Sequence, residues 1–587
     1  MYNKTNAEIE MEIINRARKF CNKHALERSL TVIKKYAEIK MSQMEEYNWE
    51  AEVERNPYLL MQLDGVGFKK ADKVAMGLGF PIDHKYRILA FVTKALDDIS
   101  NGSTIIPMGD VLSYMGKELG IDDNSKIVNV VLNHSDGTYE MLDSSYKRTN
   151  DIMEARYLTQ RSWYETERDF FNMLVKASKM PATQIDSEIK QKVISSMRFN
   201  LNNGQLKSVE MFDKFNINVL TGGGGVGKTT VVEVFLKCLL KSKQTFTCLT
   251  PTGIASKVFT SSTGFDSRTI HSYYFRKGSI DTDWVILDEC SMHSLDHIKM
   301  ILRMIDKDCP PRFLFIGDVG QLQPIGNGDV FNSVINLIKN NRIKGNIMEL
   351  TQIMRASDET FIPHLSQQFR GDNKYDSSCE NRTDLANVYF YKLESDLPKQ
   401  LLNVIGTHKM DFKSTYILIP QNIGDIGNVA VNDIIDGVIA TNNILYKDKY
   451  RTFRQGTELM HTKNNDDLNI YNGERITLTD RVNDNFICTK VDTGEEIVYD
   501  EETFKTEVIK SYGCTVHKMQ GITSENIILV VSAKHKYMLT RNLVYTGMSR
   551  ASKKLIILYD DGMLSYAHSR VETNKRLTFL GLLAKRR

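Results

Sequence analysis

The chain has 587 residues, of which 41% are apolar and 25% are charged. This length and composition predict a folded protein of several domains and exclude wholly disordered and fibrous classes. The formal net charge of +3 is too small to argue for or against a nucleic-acid partner, so that question depends on local motifs.

The cysteines and the N-terminal residues predict a location in the cytoplasm. The eight cysteines are scattered, with no Cys-x-x-Cys pair and no Cys/His group at zinc spacing. We therefore expect free thiols in a reducing compartment. The beginning of the chain mixes charges with short apolar runs and fits neither a signal peptide nor a transit sequence. No apolar run is long enough to span a bilayer, so we expect a soluble protein.

The N-terminal third is predicted to be mostly helical and carries no catalytic pattern. The Gly65-Val66-Gly67 turn resembles a helix-hairpin-helix, because it exposes backbone N–H groups toward a phosphate near Lys69, Lys70 and Lys73. An ordinary helix-turn-helix packing element fits the same residues. Both interpretations stay open.

Beyond this region, short β-rich runs alternate with helical stretches, which indicates β-α-β units and parallel sheets. A polar stretch, residues 371–382, indicates a loop between two such units. The candidate strands are Asn218–Thr221, Thr245–Thr250, Trp284–Asp288, Phe313–Gly317 and Ile347–Leu350 in the first unit, and Thr415–Pro420, Glu507–Lys510, Asn526–Val531 and Lys554–Tyr559 in the second.

The pattern predicts the following domains. They are a helical region with the helix-hairpin-helix (1–82), a helical, winged-helix-like region with a linker (83–198), a first α/β ATPase domain (199–372), a second α/β domain (373–451 and 505–587), and a small β-barrel inserted in the second (452–504). The insertion is predicted from short alternating strands broken by turn residues such as Asn472-Gly473.

A complete phosphate-loop motif predicts an ATP site. Gly222-Gly223-Gly224-Gly225-Val226-Gly227-Lys228-Thr229 fits G-x-x-x-x-G-K-[ST] after a strand, and with Thr230 it opens a helix. Its backbone N–H groups would wrap phosphates, Lys228 would neutralise them, and the Thr229 hydroxyl would ligate Mg²⁺. A flexible glycine loop is the alternative.

Two further strand ends carry polar residues suited to phosphoryl chemistry. Asp288 and Glu289 end an apolar strand, so Asp288 is predicted to hold Mg²⁺ and Glu289 to polarise the attacking water. Gln321 follows the next strand and is predicted to sense the γ-phosphate. An exposed acidic strand end and a surface glutamine are the structural alternatives.

Together these segments resemble the motor core of superfamily 1 helicases, and within it the RecD-like branch, over residues 200–565. The most particular element is Thr515-Val516-His517-Lys518-Met519-Gln520-Gly521, because T-x-H-K-x-Q-G is typical of that branch. The resemblance implies an adenine-reading Gln205, arginine fingers at Arg355 and Arg550, and nucleic-acid contacts at Thr252, Thr269, His271, Thr515, His517 and Lys518.

The resemblance also implies a fold and an activity. The fold is α/β, with two RecA-like P-loop domains, a small inserted β-barrel and a mostly helical N-terminal region. The activity is an ATP- and Mg²⁺-dependent DNA helicase that moves 5′ to 3′ on single-stranded DNA. Its expected partners are single-stranded and tailed duplex DNA and proteins of replication, recombination or repair. Gly224, Val226 and Cys290 depart from the usual family residues without removing a ligand.

Three alternatives stay open. They are a P-loop ATPase of another class, an ATP-switched nucleic-acid scaffold that does not translocate, and an RNA-directed motor. A strand-separating hairpin is the other open element. In the family it emerges between the His271 segment and the Asp288 strand, where this chain has only residues 272–287. Tyr273-Tyr274-Phe275 before Arg276-Lys277-Gly278-Ser279 predicts either a short pin or aromatics packed under the sheet.

Overall fold

The structure, a computed structural model, describes residues 6–24, 26, 29–43, 48–63, 65–134, 137–149, 151, 154–354, 360–371, 373–449, 451–465, 467–571 and 576–585. The chain divides into two compact units, Met1–Glu165 with Leu577–Phe579 and Thr166–Arg576 with Leu580–Arg587. Within the ranges given above, no helix is both long enough and apolar enough to cross a membrane.

The first unit is mostly helical, as predicted. Its elements are α1 (Asn6–Lys23), α2 (Leu30–Gln43), α3 (Trp49–Arg55), α4 (Phe68–Gly77), α5 (Lys85–Ile99), α6 (Met108–Leu119), α7 (Asn124–His134), β1 (Ile106–Pro107), β2 (Tyr139–Leu142) and β3 (Tyr157–Gln160). The strands form an antiparallel sheet in the order β1-β3-β2. The winged-helix-like interpretation of this region stays a prediction.

The predicted hairpin turn of the first unit lies before α4. Gly65 has a φ of +79°, a conformation that favours glycine, and Gly67 is the N-cap residue of α4. Lys70 Nζ donates to Gly65 O at 2.7 Å, while Lys69 and Lys73 are exposed. The turn therefore presents an exposed helix N-terminus with lysines beside it.

The second unit begins with a six-stranded parallel sheet. Its elements are α8 (Arg161–Lys179, in this unit from Thr166), α9 (Ser187–Ser195), α10 (Asn203–Phe212), α11 (Lys228–Lys241), α12 (Gly253–Thr263), α13 (Ile270–Lys277), α14 (Leu295–Met304), α15 (Val330–Lys339), α16 (Ile362–Gln368), β4 (Ile217–Gly222), β5 (Phe246–Thr250), β6 (Arg268–Thr269), β7 (Trp284–Leu287), β8 (Arg312–Gly317) and β9 (Asn346–Leu350). The strand order is β6-β5-β7-β8-β4-β9. Every residue of β4 and β7 is buried, which explains their continuous apolar sequence.

The rest of the second unit contains another parallel sheet and an antiparallel insertion. Its elements are α17 (Leu397–Thr407), α18 (Asn428–Ile439), α19 (Glu501–Glu507), α20 (Arg541–Met548), α21 (Met563–Ser569), α22 (Phe579–Lys585, in this unit from Leu580), β10 (Val388–Lys392), β11 (Thr415–Leu418), β12 (Ile444–Lys447), β13 (Thr452–Arg454), β14 (Glu458–His461), β15 (Arg475–Val482), β16 (Asn485–Lys490), β17 (Glu496–Tyr499), β18 (Val508–Lys510), β19 (Gly513–Cys514), β20 (Ser524–Val531) and β21 (Ala551–Tyr559). The parallel sheet has the order β10-β21-β20-β11-β19.

One predicted strand belongs to a different sheet. We expected Glu507–Lys510 in the second parallel sheet, but β18 pairs antiparallel with β14 in the insertion. The edge position beside β11 is held instead by the two-residue strand β19. The opposite edge strand, β10, had no counterpart in the prediction.

The insertion is an antiparallel sheet in the order β17-β16-β15-β14-β18, accompanied by the hairpin β12-β13. The two sheets share one core, because Phe453 of β13 packs with Phe486 of β16 and Phe504 of α19. The short strands predicted between residues 452 and 504 are confirmed by β13 to β17, whereas β12 lies before that range and β18 lies after it.

Of the two interpretations of the aromatics after His271, the short pin is wrong. Residues 270–277 form the helix α13, which Thr269 caps at its start and Gly278, with a φ of +69°, ends. Tyr273 is buried, but Phe275 is 77% exposed at the end of the helix. The aromatics therefore lie on a helix, and only part of the set packs against the domain.

Candidate nucleotide and nucleic-acid site

The phosphate loop joins β4 to α11 in a conformation that requires glycine. Gly225 and Gly227 have φ values of +78° and +81°. A Cβ on Gly227 would lie 2.4 Å from Gln205 Nε2, and one on Gly222 would lie 2.7 Å from Leu350 O. No side chain fits at these positions, so the loop backbone stays open for a ligand.

Lys228 folds back over the loop that precedes it. Its Nζ donates to Gly222 O at 2.9 Å and to Gly223 O at 3.0 Å. Thr229 and Thr230, the next residues of α11, are half-buried. The ammonium group thus lies over the loop, where a phosphate oxygen can replace the two carbonyl acceptors.

Gln205 forms a hydrogen bond with the backbone of the phosphate loop. Its Oε1 accepts from Asn202 N at 3.0 Å in a capping box at the start of α10, and its Nε2 donates to Val226 O at 3.4 Å. The side chain is 2% exposed. Both ends of the amide therefore contact protein groups here, and adenine reading by Gln205 stays a prediction.

Asp288 and Glu289 follow β7, as predicted, with Asp288 one residue beyond the strand. Burial and the neighbouring charge of Glu289 raise the pKa of Asp288 to about 7. Glu289 has a φ of +48°, a left-handed conformation that costs a non-glycine residue roughly 1–3 kcal/mol. Such strain is typical of functional sites. A ring nitrogen of the buried His293 lies 3.0 Å from Asp288 O and holds this turn.

Gln321 lies in the loop after β8 and is 5% exposed. Its Oε1 has no hydrogen-bond partner among the residues that the structure describes. Leaving a buried amide oxygen unpaired costs about 1–3 kcal/mol, and such atoms are rare in folded proteins. The side chain is therefore available for a ligand or a water at this edge of the sheet.

Of the two predicted arginine fingers, only Arg550 lies within the described residues. Arg355 lies outside the described residues, but Met354 N, just before it, donates to Gly225 O at 2.9 Å. Arg550 is buried and bonds within its own domain, to Thr546 O at 3.3 Å and to Ile522 O at 3.4 Å. The chain before Arg355 thus reaches the phosphate loop, whereas the Arg550 guanidinium is turned inward.

The predicted nucleic-acid residues of the first α/β domain begin two helices. The Thr252 hydroxyl accepts from Ala255 N at the start of α12, and the Thr269 hydroxyl accepts from Ser272 N at the start of α13. Each hydroxyl can still donate its own proton to a phosphate oxygen. His271 is exposed on the first turn of α13.

The predicted nucleic-acid residues of the second domain lie in the loop after β19. The Thr515 hydroxyl accepts from Lys518 N at 3.3 Å; Lys518 is exposed and His517 is half-buried. A Cβ on Gly521 would lie 3.9 Å from Thr252 Oγ1. The loop therefore contacts the start of α12, so the structure brings Thr252 and the Thr515 segment together.

Three family models match parts of this chain. They are "AAA domain" over residues 200–384, "ATP-dependent RecD2 DNA helicase HHH domain" over residues 30–105, and "UvrD-like helicase C-terminal domain" over residues 510–558. The chain is 25% identical to the RecBCD enzyme subunit RecD of Buchnera aphidicola subsp. Schizaphis graminum, over 58% of this chain and 70% of that protein. It is 22% identical to the ATP-dependent RecD2 DNA helicase of Deinococcus radiodurans, over 85% of this chain and 69% of that protein.

The chain is therefore similar to RecD-like helicases along most of its length. An uncharacterised protein of Methanocaldococcus jannaschii is 22% identical over 89% of this chain, which spans 54% of that protein's length.

A polar cluster that joins the two α/β domains was not predicted from the sequence. Asp318 accepts from Gly320 N at 3.0 Å, from Arg370 Nε at 3.1 Å and from Tyr545 Oη at 2.5 Å. Asn542 of α20 donates to Gly320 O at 3.0 Å. Apart from Gly320, these partners are more than fifty residues from Asp318 along the chain, so no local sequence pattern links them to it.

Proposed function

We propose that the chain is an ATP-dependent DNA helicase that translocates on single-stranded DNA. One observation carries the proposal: the phosphate loop lies against α20 of the second α/β domain. A Cβ on Gly223 would lie 3.2 Å from Tyr545 Oη, and one on Gly224 would lie 3.7 Å from Ser549 Cβ. A nucleotide bound between two domains couples hydrolysis to their relative movement, which a motor requires.

In this proposal the side chains around the loop have distinct roles. Lys228 binds the β- and γ-phosphates, and Gln205 and residues 222–230 hold the nucleotide. Glu289 orients the attacking water, and Gln321 contacts the terminal phosphate. Arg355 and Arg550 stabilise the charge of the transferring phosphoryl group. The inward orientation of Arg550 implies that nucleotide binding reorients this side chain.

Thr229 and Asp288 are suited to hold Mg²⁺. A hydroxyl and a carboxylate are the hard oxygen ligands that this ion prefers, and glycine leaves the adjoining loop open. When bound, Mg²⁺ would neutralise part of the phosphate charge. Burial and the charge of Glu289 raise the pKa of Asp288, and a bound cation would favour the ionised carboxylate.

We propose that the nucleic-acid backbone crosses both α/β domains at the described helix starts. The contacts come from Thr252, Thr269, His271, Thr515, His517 and Lys518. Helix N-termini and hydroxyls bind phosphate oxygens without reading bases, so this surface suits a motor that ignores sequence. The contact of Gly521 with α12 supports a continuous track.

The remaining features of the proposal rest on the RecD-like family. They are movement 5′ to 3′, a role in replication, recombination or repair, protein partners of those processes, and a cytoplasmic location. We also retain the domain division given above and propose that the insertion is a small β-barrel. The shared core of its two sheets supports the barrel.

Unwinding of duplexes with a 5′ tail, a 3′ tail or no tail, made in DNA and in RNA, tests this proposal. We expect ATP-dependent unwinding of the 5′-tailed DNA and strong stimulation of ATP hydrolysis by single-stranded DNA, with Lys228→Ala as the inactive control. A requirement for a 3′ tail would contradict the direction. Activity on RNA alone would indicate an RNA-directed motor, and slow hydrolysis without unwinding would indicate an ATP-switched scaffold.

A further inference from the structure

Arg370 follows α16 and bridges two strands of the first parallel sheet. Its Nε donates to Asp318 Oδ1 at 3.1 Å, and its Nη1 donates to Glu349 Oε1 at 2.9 Å. Asp318 follows β8 and Glu349 lies on β9, and the strand order places β4 between them. A guanidinium that bridges the two acids therefore lies across the end of β4, where the phosphate loop begins.

The glycines around Arg370 confirm this position independently. A Cβ on Gly223 would lie 3.6 Å from Arg370 Cδ, and one on Gly320 would lie 2.9 Å from Arg370 Cγ. The arginine side chain thus passes between the phosphate loop and the loop that carries Gln321. It is 8% exposed, so it belongs to the interior of the cleft.

One arm of this guanidinium has no acceptor. Nη2 is buried and has no hydrogen-bond partner within the described part of the chain. A buried N–H of a charged group is costly to leave unpaired, and such atoms are rare in native structures. Beside a phosphate-binding loop, the acceptor that suits a guanidinium arm best is a phosphate oxygen.

We propose that Arg370 is a third arginine of the ATP site, in addition to Arg355 and Arg550, and that its Nη2 donates to the terminal phosphate of bound ATP. The assignment rests on the proposed function. We assign the terminal phosphate because Asp318, which fixes the guanidinium, lies in the same loop as Gln321, the side chain proposed to contact that phosphate. Two carboxylates hold the arginine before nucleotide arrives, so little reorganisation is needed when charge develops on the phosphoryl group.

The charges around Arg370 predict that the orientation of its N–H donor matters more for phosphate binding than the net charge of the side chain. Asp318 offsets the guanidinium, and Glu349 is half-exposed, so water screens its contribution. The contribution of Arg370 to phosphate binding is therefore one oriented N–H donor, Nη2, of a planar guanidinium group. Lysine offers a point charge on a flexible stem and lacks this fork, so it will not substitute.

The test compares nucleotide affinities of Arg370→Lys with those of Arg312→Lys. Arg312 is a matched control because it is a half-buried arginine at the opposite end of β8, where it bonds to Gln244 and stacks on Trp284. Affinities for ADP and for ADP–aluminium fluoride are measured with a fluorescent nucleotide, without DNA, together with kcat and KM. ADP–aluminium fluoride represents the transferring phosphoryl group.

We expect Arg370→Lys to weaken ADP–aluminium fluoride binding about tenfold or more and to lower kcat similarly, with ADP affinity within about threefold of wild type. Arg312→Lys should leave all of these values within about threefold. Unchanged ADP–aluminium fluoride affinity in Arg370→Lys would overturn the proposal. An equal loss for ADP and ADP–aluminium fluoride would also overturn it, because the arginine would then only support the loop.

A second variant keeps the proposal testable if Arg370→Lys does not fold. Glu349→Gln retains an acceptor for Nη1 at a half-exposed position. This variant should weaken the binding of ADP–aluminium fluoride about twofold to fivefold and leave the affinity for ADP unchanged. No effect of Glu349→Gln on ADP–aluminium fluoride would then count against the proposal. A wild-type chain that hydrolyses ATP without unwinding DNA would refute the proposed helicase and leave the Arg370 result intact.

Discussion

Removal of the Tyr545 hydroxyl tests whether a hydrogen bond between the two α/β domains supports the proposed motor activity. Tyr545 Oη donates to Asp318 Oδ2 at 2.5 Å, and both residues are 1% exposed. Burial and the nearby Asp318 charge raise the pKa of Tyr545 well above its usual value, so the hydroxyl stays protonated and donates. Because α20 and the loop after β8 belong to different α/β domains, this bond holds the cleft closed.

The expected cost of Tyr545→Phe follows from that burial. A hydrogen bond to a charged group contributes about 1.5–3 kcal/mol, and water does not replace the lost donor at a site this buried. Every 1.4 kcal/mol is about a tenfold change in an equilibrium constant, so the equilibrium between closed and open domains should shift by tenfold or more. Urea unfolding measures the stability, and DNA-stimulated ATP hydrolysis measures the activity.

A matched variant exists within the second α/β domain. Tyr512 Oη donates at 3.1 Å to the fully buried Asp436 of α18. Tyr512→Phe should lose a similar free energy of unfolding and keep wild-type ATP hydrolysis, whereas Tyr545→Phe should lose both. Wild-type hydrolysis in Tyr545→Phe, or an equal loss in both variants, would refute the cross-domain role of this bond.

Other substitutions test the remaining roles. Lys228→Ala should abolish ATP hydrolysis and weaken nucleotide binding, whereas Glu289→Gln should abolish hydrolysis and retain binding; near-normal turnover in Glu289→Gln would contradict its role. Arg355→Ala and Arg550→Ala should lower kcat far more than nucleotide affinity, and a change in KM alone would show that they are not fingers. Phe275→Ser should lower DNA unwinding severalfold and leave single-strand-stimulated hydrolysis unchanged, because an exposed ring at a helix end can stack on a base; unchanged unwinding would place the wedge elsewhere.

The elements around the phosphate loop could be predicted because each is a local pattern. The all-buried strands β4 and β7 appear as continuous apolar runs, and the glycines and acids that follow them mark the sheet edge. β18 shows the limit of this reasoning. Its apolar residues predict a strand, but which sheet it joins depends on β14, some fifty residues earlier.

The sequence around α13 contains capping residues that are typical of a short helix. Thr269 is an N-cap residue, and Gly278 ends the helix in the left-handed conformation. A short pin was one of two interpretations, because the family resemblance implies a pin at this place and Lys277-Gly278-Ser279 resembles a turn. The capping residues at both ends favour the helix that the structure contains.

Polar groups at the cleft fall into two classes that act differently on nucleotide. Lys228 and Arg550 already donate to protein carbonyls. A phosphate must replace those hydrogen bonds, so binding is favoured only by the difference in free energy between a hydrogen bond to phosphate and one to a carbonyl. Gln321 Oε1 and Arg370 Nη2 have no partner within the described residues. A phosphate oxygen can accept from Arg370 Nη2, whereas Gln321 Oε1 can only accept from a donor such as water, and each contact removes the cost of leaving a buried polar atom unpaired. The unpaired groups both lie at or beside the loop after β8. Discrimination between ATP and ADP should therefore depend on that loop more than on the phosphate loop itself.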